Sequence, residues 1–256
     1  MRRFLIMGLP RSGTTYLMTL LNAHPQVHCS GEQFNPHAIV GIGGERDDSF
    51  EAVLARDRDP VGFFERFFAH HAAPPRALVG FKVMIGHNVA LLDHIAAAPD
   101  IRLIYVRREN RLAQISSLIR AVETKEWART HPEAGPPPKI RATPRQISQR
   151  WHEFATYDRL FKPWFDALPH ARTEIEYREM FAPGFEGWIC HFLGLPFDPA
   201  MRSPLVKQNA NTILDRFETP EPIRRYFTAV GHADWLQDEL PAPGTVPGRA
   251  AGQRGE

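Results

Sequence analysis

Cysteine is nearly absent from this chain. Cys29 and Cys190 are the only two in 256 residues, and two thiols make neither a disulfide framework nor a four-cysteine zinc site. Long apolar runs are missing as well. The N-terminal run from Phe4 to Leu9 is cut by Pro10 and Arg11, too short for a signal-peptide core. No stretch approaches the roughly 18 apolar residues of a membrane span. Nor is there an excess of one charge. Lys plus Arg is 31 and Asp plus Glu is 29, a net of +2. That balance argues against a broad basic nucleic-acid surface and leaves room for a local basic site. His24, His70 and His71 lack metal-ligand spacing to carboxylates, so no metal is expected. These absences predict a cytoplasmic protein in a reducing compartment, with no integral membrane segment and no nucleic-acid partner. With 43% hydrophobic and 23% charged residues, the composition is that of a globular domain and excludes wholesale disorder and coiled coil.

What is present is an alternation of strand and helix patterns. Arg3 to Met7 is a short apolar run ended by Gly8, as for a buried parallel strand. A turn-rich loop follows, then a helix from Thr14 to His24 with Leu17, Leu20 and Leu21 on one face. Val27 to Cys29 reads as a second short strand. Residues 49 to 71 read as one helix, with Phe63, Phe64, Phe67 and Phe68 as a core stripe. Strands are predicted over 78–85 and 101–106, with a helix over 88–98 between them. Asn110 is placed to cap a helix running to Glu123. Residues 130–144 carry five prolines and read as a loop over a site. A long helix over 146–168, a strand over 172–177 and helices near 184–193 and 221–229 complete the pattern. The prediction is a single α/β domain over residues 1–240, a three-layer arrangement with a central parallel sheet flanked by helices. The Pro/Gly/Arg-rich tail, 241–256, is expected to be disordered.

The loop after the first strand carries the chemistry. Gly8-x-x-x-x-Gly13-Thr14-Thr15 has the outline of a P-loop, between a strand and a helix as that motif requires. Glycines let backbone N–H groups turn inward, and the helix N-terminus adds partial positive charge, so the loop suits an anion. Two departures are informative. A nucleotide triphosphatase has Lys after the second glycine, where this chain has Thr14; its positive charge sits inside the loop at Arg11. Such an enzyme also ends a neighbouring strand with an Asp that holds Mg²⁺. Here the strand ends Val106-Arg107-Arg108, which repels a metal and attracts a second phosphate. The pattern fits a nucleotide with two separated anionic groups and no essential Mg²⁺.

Pro10-Arg11-Ser12-Gly13-Thr14-Thr15-Tyr16-Leu17 resembles the 5′-phosphosulfate loop of the sulfotransferases that use 3′-phosphoadenosine 5′-phosphosulfate (PAPS). Tyr105-Val106-Arg107-Arg108 followed by Ser116-Ser117 resembles that family's 3′-phosphate motif, an Arg at a strand end and a Ser eight residues on. Arg108 with Ser116 has that spacing; Arg107 with Ser116 or Ser117 is the other register. The run from Arg108 to Leu118, then Trp127, most resembles the bacterial carbohydrate sulfotransferases of the trehalose, Nod-factor and lipopolysaccharide types. The resemblance implies a P-loop-like fold, PAPS as co-substrate with no metal required, and a small-molecule or glycan acceptor. By it Arg11, Ser12, Gly13, Thr14 and Thr15 bind the 5′ end and Arg108 and Ser116 the 3′-phosphate. Tyr177 resembles the tyrosine near the adenine, with core packing as its other reading. Lys207 stands where a late basic loop comes, although the family's Arg-Lys-Gly pattern is missing. A homo-oligomer is compatible with all of this.

Sulfuryl transfer needs a base for the acceptor proton and a cation near the leaving oxygen. Glu32, in Gly31-Glu32-Gln33-Phe34, matches the acidic residue that trehalose-type enzymes use as base; its other reading is a loop carboxylate that orders the backbone or pairs with an Arg. Partial desolvation there would suit it with a raised pKa. His87 is the rival, since cytosolic family members use a His near a strand-borne Lys. Their spacing is Lys-x-His, however, and Lys82 and His87 are five apart, so helix capping or the surface is its other reading. Lys82 lies in an apolar run, either touching the sulfuryl or bridging oxygen or snorkelling from an edge strand. Arg11 is the stronger cation candidate, because the loop aims it at the anion. Trp127 and Trp151 are candidates to line an acceptor pocket. Two other functions fit less of the pattern: a P-loop small-molecule kinase, and a non-catalytic nucleotide-binding protein of the same fold.

Overall fold

The computed structural model describes residues 2–132 and 135–240. Five parallel strands form the central sheet: β1 (Arg2–Gly8), β2 (Val27–Glu32), β5 (Leu78–Met84), β6 (Arg102–Arg107) and β7 (Arg172–Glu176), in the order β2-β5-β1-β6-β7. β1 takes the centre because both its faces are covered, and its apolar run Phe4 to Met7 is wholly buried. Alternation along the strand divides the core. Phe4 and Ile6 face a layer containing Leu17 and Leu20 of α1 (Thr14–Asn22) and Phe185 and Ile189 of α7 (Phe185–Leu193). Leu5 and Met7 face the opposite layer, where α3 (Pro60–His71), α4 (Ala90–Ala96) and α6 (Pro144–Ala167) supply Phe64, Leu91, Ile95 and Phe161. A third cluster joins α5 (Arg111–Thr124) to α8 (Pro220–Ala229) through Leu112, Ile115, Ile223 and Phe227.

The sheet and its flanking helices follow the sequence expectation, with local corrections. The helix expected over 49–71 is two helices, α2 (Phe50–Arg58) and α3, broken at Asp59-Pro60. Proline disfavours helical backbone in the residue before it, and the Asp59 carboxylate accepts from the Gly62 N–H at 2.9 Å to start α3 anew. α1 ends at Asn22 rather than His24. The second strand reaches Glu32 instead of Cys29, and a small hairpin, β3 (Ile39–Val40) with β4 (Arg46–Asp47), follows it. Asn110 caps α5 as expected, accepting from the Ala113 N–H at 2.9 Å. Tyr177 opens a short 3₁₀ turn and is not part of β7. The tail expected to be disordered, 241–256, lies outside the described residues. No helix among the described residues is long and apolar enough to cross a membrane.

The carboxyl edge of a parallel sheet is where open α/β folds bind ligands. Here β1 runs into the glycine loop, β2 ends on Glu32, β5 carries Lys82 near its end, β6 ends on Arg107, and β7 runs into Tyr177.

Candidate functional site

The loop from Gly8 to Gly13 turns on two residues with left-handed backbone, Arg11 at φ 62° and Gly13 at φ 106°. Glycine is required at the second for a further reason. A Cβ on Gly13 would stand 2.5 Å from the Met180 Cε and 2.7 Å from the Tyr177 ring. Tyr177 thus packs directly on the loop. Gly13 also begins α1, which has no capping side chain and no acidic residue in its first turn. Its first N–H groups are therefore available to an anion. The Ser12 hydroxyl is buried beside them without a hydrogen-bond partner, in a family of groups that seldom go unpaired.

Beside this loop, β2 and β5 bring a carboxylate and an ammonium together. Glu32 and Lys82 are register partners. Lys82 Nζ donates to Thr15 Oγ1 at 2.8 Å and to Glu32 Oε1 at 3.3 Å, while Glu32 Oε2 accepts from Asn35 Nδ2 at 2.8 Å. β5 is an interior strand, so Lys82 is no snorkelling edge residue; it is buried and paired. Burial by itself pushes the Glu32 carboxyl upward, but Lys82, the Asn35 bond and His87 together hold it below its ordinary value. The raised pKa expected for Glu32 is thereby corrected: the desolvation is there, and a cation outweighs it. His87 lies in the turn after β5, close enough to Glu32 to interact electrostatically, and burial lowers its imidazole to about 4. The N-cap of α4 is Val89, and the Leu91 N–H in its first turn donates to the Asn88 side chain at 3.3 Å rather than to His87. Both candidate bases thus stand at the ends of adjacent strands.

Arg56 holds this corner and has no counterpart in the sequence analysis. It is 2% exposed. One of its guanidinium nitrogens donates to the carbonyls of Gln33, Asn35 and Ala38 at 3.2, 2.8 and 3.4 Å. It thereby fixes the loop immediately after Glu32.

A second cationic cluster lies across the loop. Arg108 is buried, with its guanidinium 4.4 Å from the centre of the Tyr177 ring. It donates to the Arg11 carbonyl at 2.7 Å and to the Glu239 carboxylate. Lys207 Nζ and Arg216 Nη2 reach the same carboxylate at 2.7 and 2.5 Å. Ser116 is buried beneath, donating to the Ala113 carbonyl at 3.0 Å and accepting from Arg216 Nη1 at 3.1 Å. Arg107 points elsewhere: it pairs with Glu174, which also binds Lys162. Of the two registers, then, the structure brings Arg108 and Ser116 into one cluster with Lys207 and leaves Arg107 outside it.

Arg11 departs from its expected aim. Its guanidinium donates to Ser117 Oγ at 2.9 Å, the Trp127 carbonyl at 2.5 Å and Gln208 Oε1 at 2.7 Å. It is turned onto α5 and the 207–208 segment, and Lys82 is the cation beside Glu32. Trp151 packs in the third core cluster, whereas Trp127 is 49% exposed next to the Arg11 contact. Arg216 and Glu239 escaped the sequence analysis, since both meet Arg108 only through contacts remote in sequence.

A parallel sheet with a glycine loop, an uncapped helix and an arginine-tipped strand defines a phosphate-binding α/β enzyme. The profile of the sulfotransferase family matches residues 3–199, and the chain belongs to that family. Nodulation protein H of Rhizobium tropici is 24% identical over 251 residues, covering 94% of this chain and 95% of that protein. Nodulation protein H of Rhizobium meliloti strain 1021 is 29% identical over 178 residues, covering 66% and 63%. Among solved structures, the sulfotransferase domain from the curacin biosynthetic pathway superposes with a TM-score of 0.52 at 17% identity, over 93% of this chain and 83% of that one. The sulfotransferase domain of the Synechococcus PCC 7002 olefin synthase gives 0.53 at 18%, over 93% and 88%. These likenesses bear on the fold.

Proposed function

We propose that this sulfotransferase moves the sulfuryl group of PAPS to a hydroxyl of a carbohydrate or other small acceptor, with Glu32 as general base. The observation that carries this is the pair of cationic places on either side of the glycine loop. The uncapped start of α1 with Lys82 forms one, and Arg108 with Lys207 and Arg216 the other. A nucleotide with a 5′-phosphosulfate and a 3′-phosphate has two anionic ends to match. The fit extends to single atoms. The Ser12 hydroxyl and Arg108 Nε are buried donors without partners.

When bound, PAPS supplies an activated sulfuryl group. Ser12, Gly13, Thr14 and Thr15 would hold its 5′ end, and Arg108 and Lys207 its 3′ end, with Ser116 supporting through Arg216. Glu32 takes the acceptor hydroxyl's proton; Lys82 keeps the carboxyl ionised, hence ready to accept, at neutral pH. The Lys82 ammonium, 2.8 Å from Thr15 Oγ1, is also the chain's cation for negative charge growing at the loop. The half-exposed Trp127, tied by its carbonyl to Arg11, offers an aromatic face beside the site of the kind that packs on sugar rings. The resemblance to bacterial carbohydrate sulfotransferases supports the same acceptor class, and the site is read as working in the cytoplasm.

Calorimetry tests the nucleotide. 3′-Phosphoadenosine 5′-phosphate (PAP) is expected to bind tightly in EDTA, and ATP with Mg²⁺ much more weakly. The reverse preference would return the protein to the kinases. Sulfate transfer from PAPS, screened across sugars, glycolipids and phenols, tests the acceptor.

A further inference from the structure

Glu239 is 1% exposed, and among the described residues no other carboxylate is buried so deeply. Both of its oxygens are taken: one by Arg108, the other by Lys207 at 2.7 Å and Arg216 at 2.5 Å. Its carboxyl is held far below the ordinary range; burial alone would raise it, and the three cations override that. A carboxylate ringed by three cations is the contact set a phosphate monoester seeks.

Counting donors sharpens the point. Arg108 gives one nitrogen to the Arg11 carbonyl, one to Glu239, and retains only Nε unpaired. Arg216 gives its Nε to the Ala210 carbonyl, Nη1 to Ala113 and Ser116, and Nη2 to Glu239. Lys207 serves Asn211 as well as Glu239. The donors that converge on one point are those already spent on Glu239. A phosphate at that point would take the place of this carboxylate.

The segment bearing Glu239 is fastened at few points. Its N–H donates to the Asn211 carbonyl at 3.0 Å. The Asn211 side chain brackets Leu240, accepting from its N–H at 2.9 Å and donating to its carbonyl at 2.8 Å. Thr212 Oγ1 adds a bond to Asp238 at 2.8 Å. Gln237 and Asp238 are exposed. Apart from the three ion pairs of Glu239, a short set of hydrogen bonds holds the segment, as for one able to open locally.

The geometry points to Glu239 as an internal anion that occupies the 3′-phosphate subsite of the nucleotide-free enzyme and leaves it, with residues 237–240, when the nucleotide enters. The inference rests on the nucleotide reading above. It makes residues 237–240 a self-inhibitory strap. Three buried cations left without an anion are unfavourable, so the strap stabilises the free protein and competes with PAPS. Nucleotide binding releases the segment.

Calorimetry on the full chain tests this with PAP and with 5′-AMP, which lacks the 3′-phosphate. Glu239→Gln is expected to tighten PAP roughly tenfold, the worth of one charge-assisted hydrogen bond, and to leave 5′-AMP unchanged. The free variant should melt at a lower temperature than the parent and regain more on adding PAP. Asn211→Ala unfastens the strap with every charge kept, and should tighten PAP in the same sense by a smaller factor. It also serves if Glu239→Gln does not fold. Equal or weaker PAP binding in the folded variants overturns the strap and makes Glu239 a brace for the three cations. Absence of PAP binding to the parent and both variants would overturn the nucleotide reading itself, and the strap with it.

Discussion

Replacing Lys82 by Met tests the base, because it removes the charge that sets the Glu32 pKa and keeps the volume of a buried side chain. The Glu32 side chain is 24% exposed and that of Lys82 is 6%, so solvent screens the pair only in part. At 3.3 Å and an effective dielectric of about 20, Coulomb's law gives an upper bound near 5 kcal/mol. A charge-assisted hydrogen bond is worth about 1.5–3 kcal/mol net. The sign follows from the direction. A depressed carboxyl is ionised above its pKa and loses its function as pH falls through it. The parent's acidic limb in kcat/KM should therefore lie below the ordinary glutamate value of about 4.3. In Lys82→Met, burial acts unopposed by Lys82, and the limb should move to higher pH.

The assay is initial-rate sulfate transfer from PAPS across the acid range, with Glu32→Gln and His87→Ala beside Lys82→Met. Glu32→Gln should abolish the limb and lower turnover by roughly the 10²–10⁴-fold of a lost general base, with PAP affinity nearly unchanged. A parent limb near neutrality, or one that Lys82→Met leaves in place, refutes the assignment. Near-normal turnover in Glu32→Gln with collapse in His87→Ala would move the base to His87.

Arg108→Ala should cost about 1.5–3 kcal/mol of PAP affinity by calorimetry, and Ser116→Ala less, since its hydroxyl already serves Ala113 and Arg216. Arg107→Ala should leave that affinity intact, because its partner is Glu174; the opposite ranking would shift the 3′-phosphate register by one residue. Gly13→Ala should lose at least about 1 kcal/mol of stability in urea unfolding, through its φ of 106° and the Tyr177 ring in the path of a Cβ. An unchanged midpoint would mean that the loop tolerates a different backbone.

The sheet was legible because buried parallel strands write themselves as continuous apolar runs, as Phe4 to Met7 does, and because Asn110 sits where a cap belongs. The glycine loop and the segment from Arg108 to Ser116 were legible from the placement of glycines, arginines and serines along the chain. What was not legible has a common cause. The Asp59-Pro60 break was missed because the phenylalanine stripe that carried the helical pattern, Phe63 to Phe68, lies wholly within α3 and was extended back across the proline. The β3–β4 hairpin has two residues per strand, too few to show a period. Arg56, Arg216 and Glu239 carry no local pattern at all. Arg216 meets Ser116 across 100 positions and Glu239 meets Arg108 across 131, and only the folded chain brings them together. The pKa of Glu32 likewise depended on a partner fifty positions away.

Arg11 shows how far a motif can specify a position without specifying its task. The motif places a cation in the loop, and the simplest expectation aims it at the anion. Its left-handed backbone, φ 62°, sends the side chain instead to Ser117, the Trp127 carbonyl and Gln208, while its own carbonyl accepts from Arg108. Those four bonds tie the glycine loop to α5, to the loop after α5, to the 207–208 segment and to the end of β6. Both proposed anion-binding places hang on these elements, and in that reading Arg11 holds the distance between them, which would match the span between the two ends of one nucleotide. Loss of this side chain should then disturb recognition of both ends together, whereas loss of Lys82 should act at the Glu32 end alone.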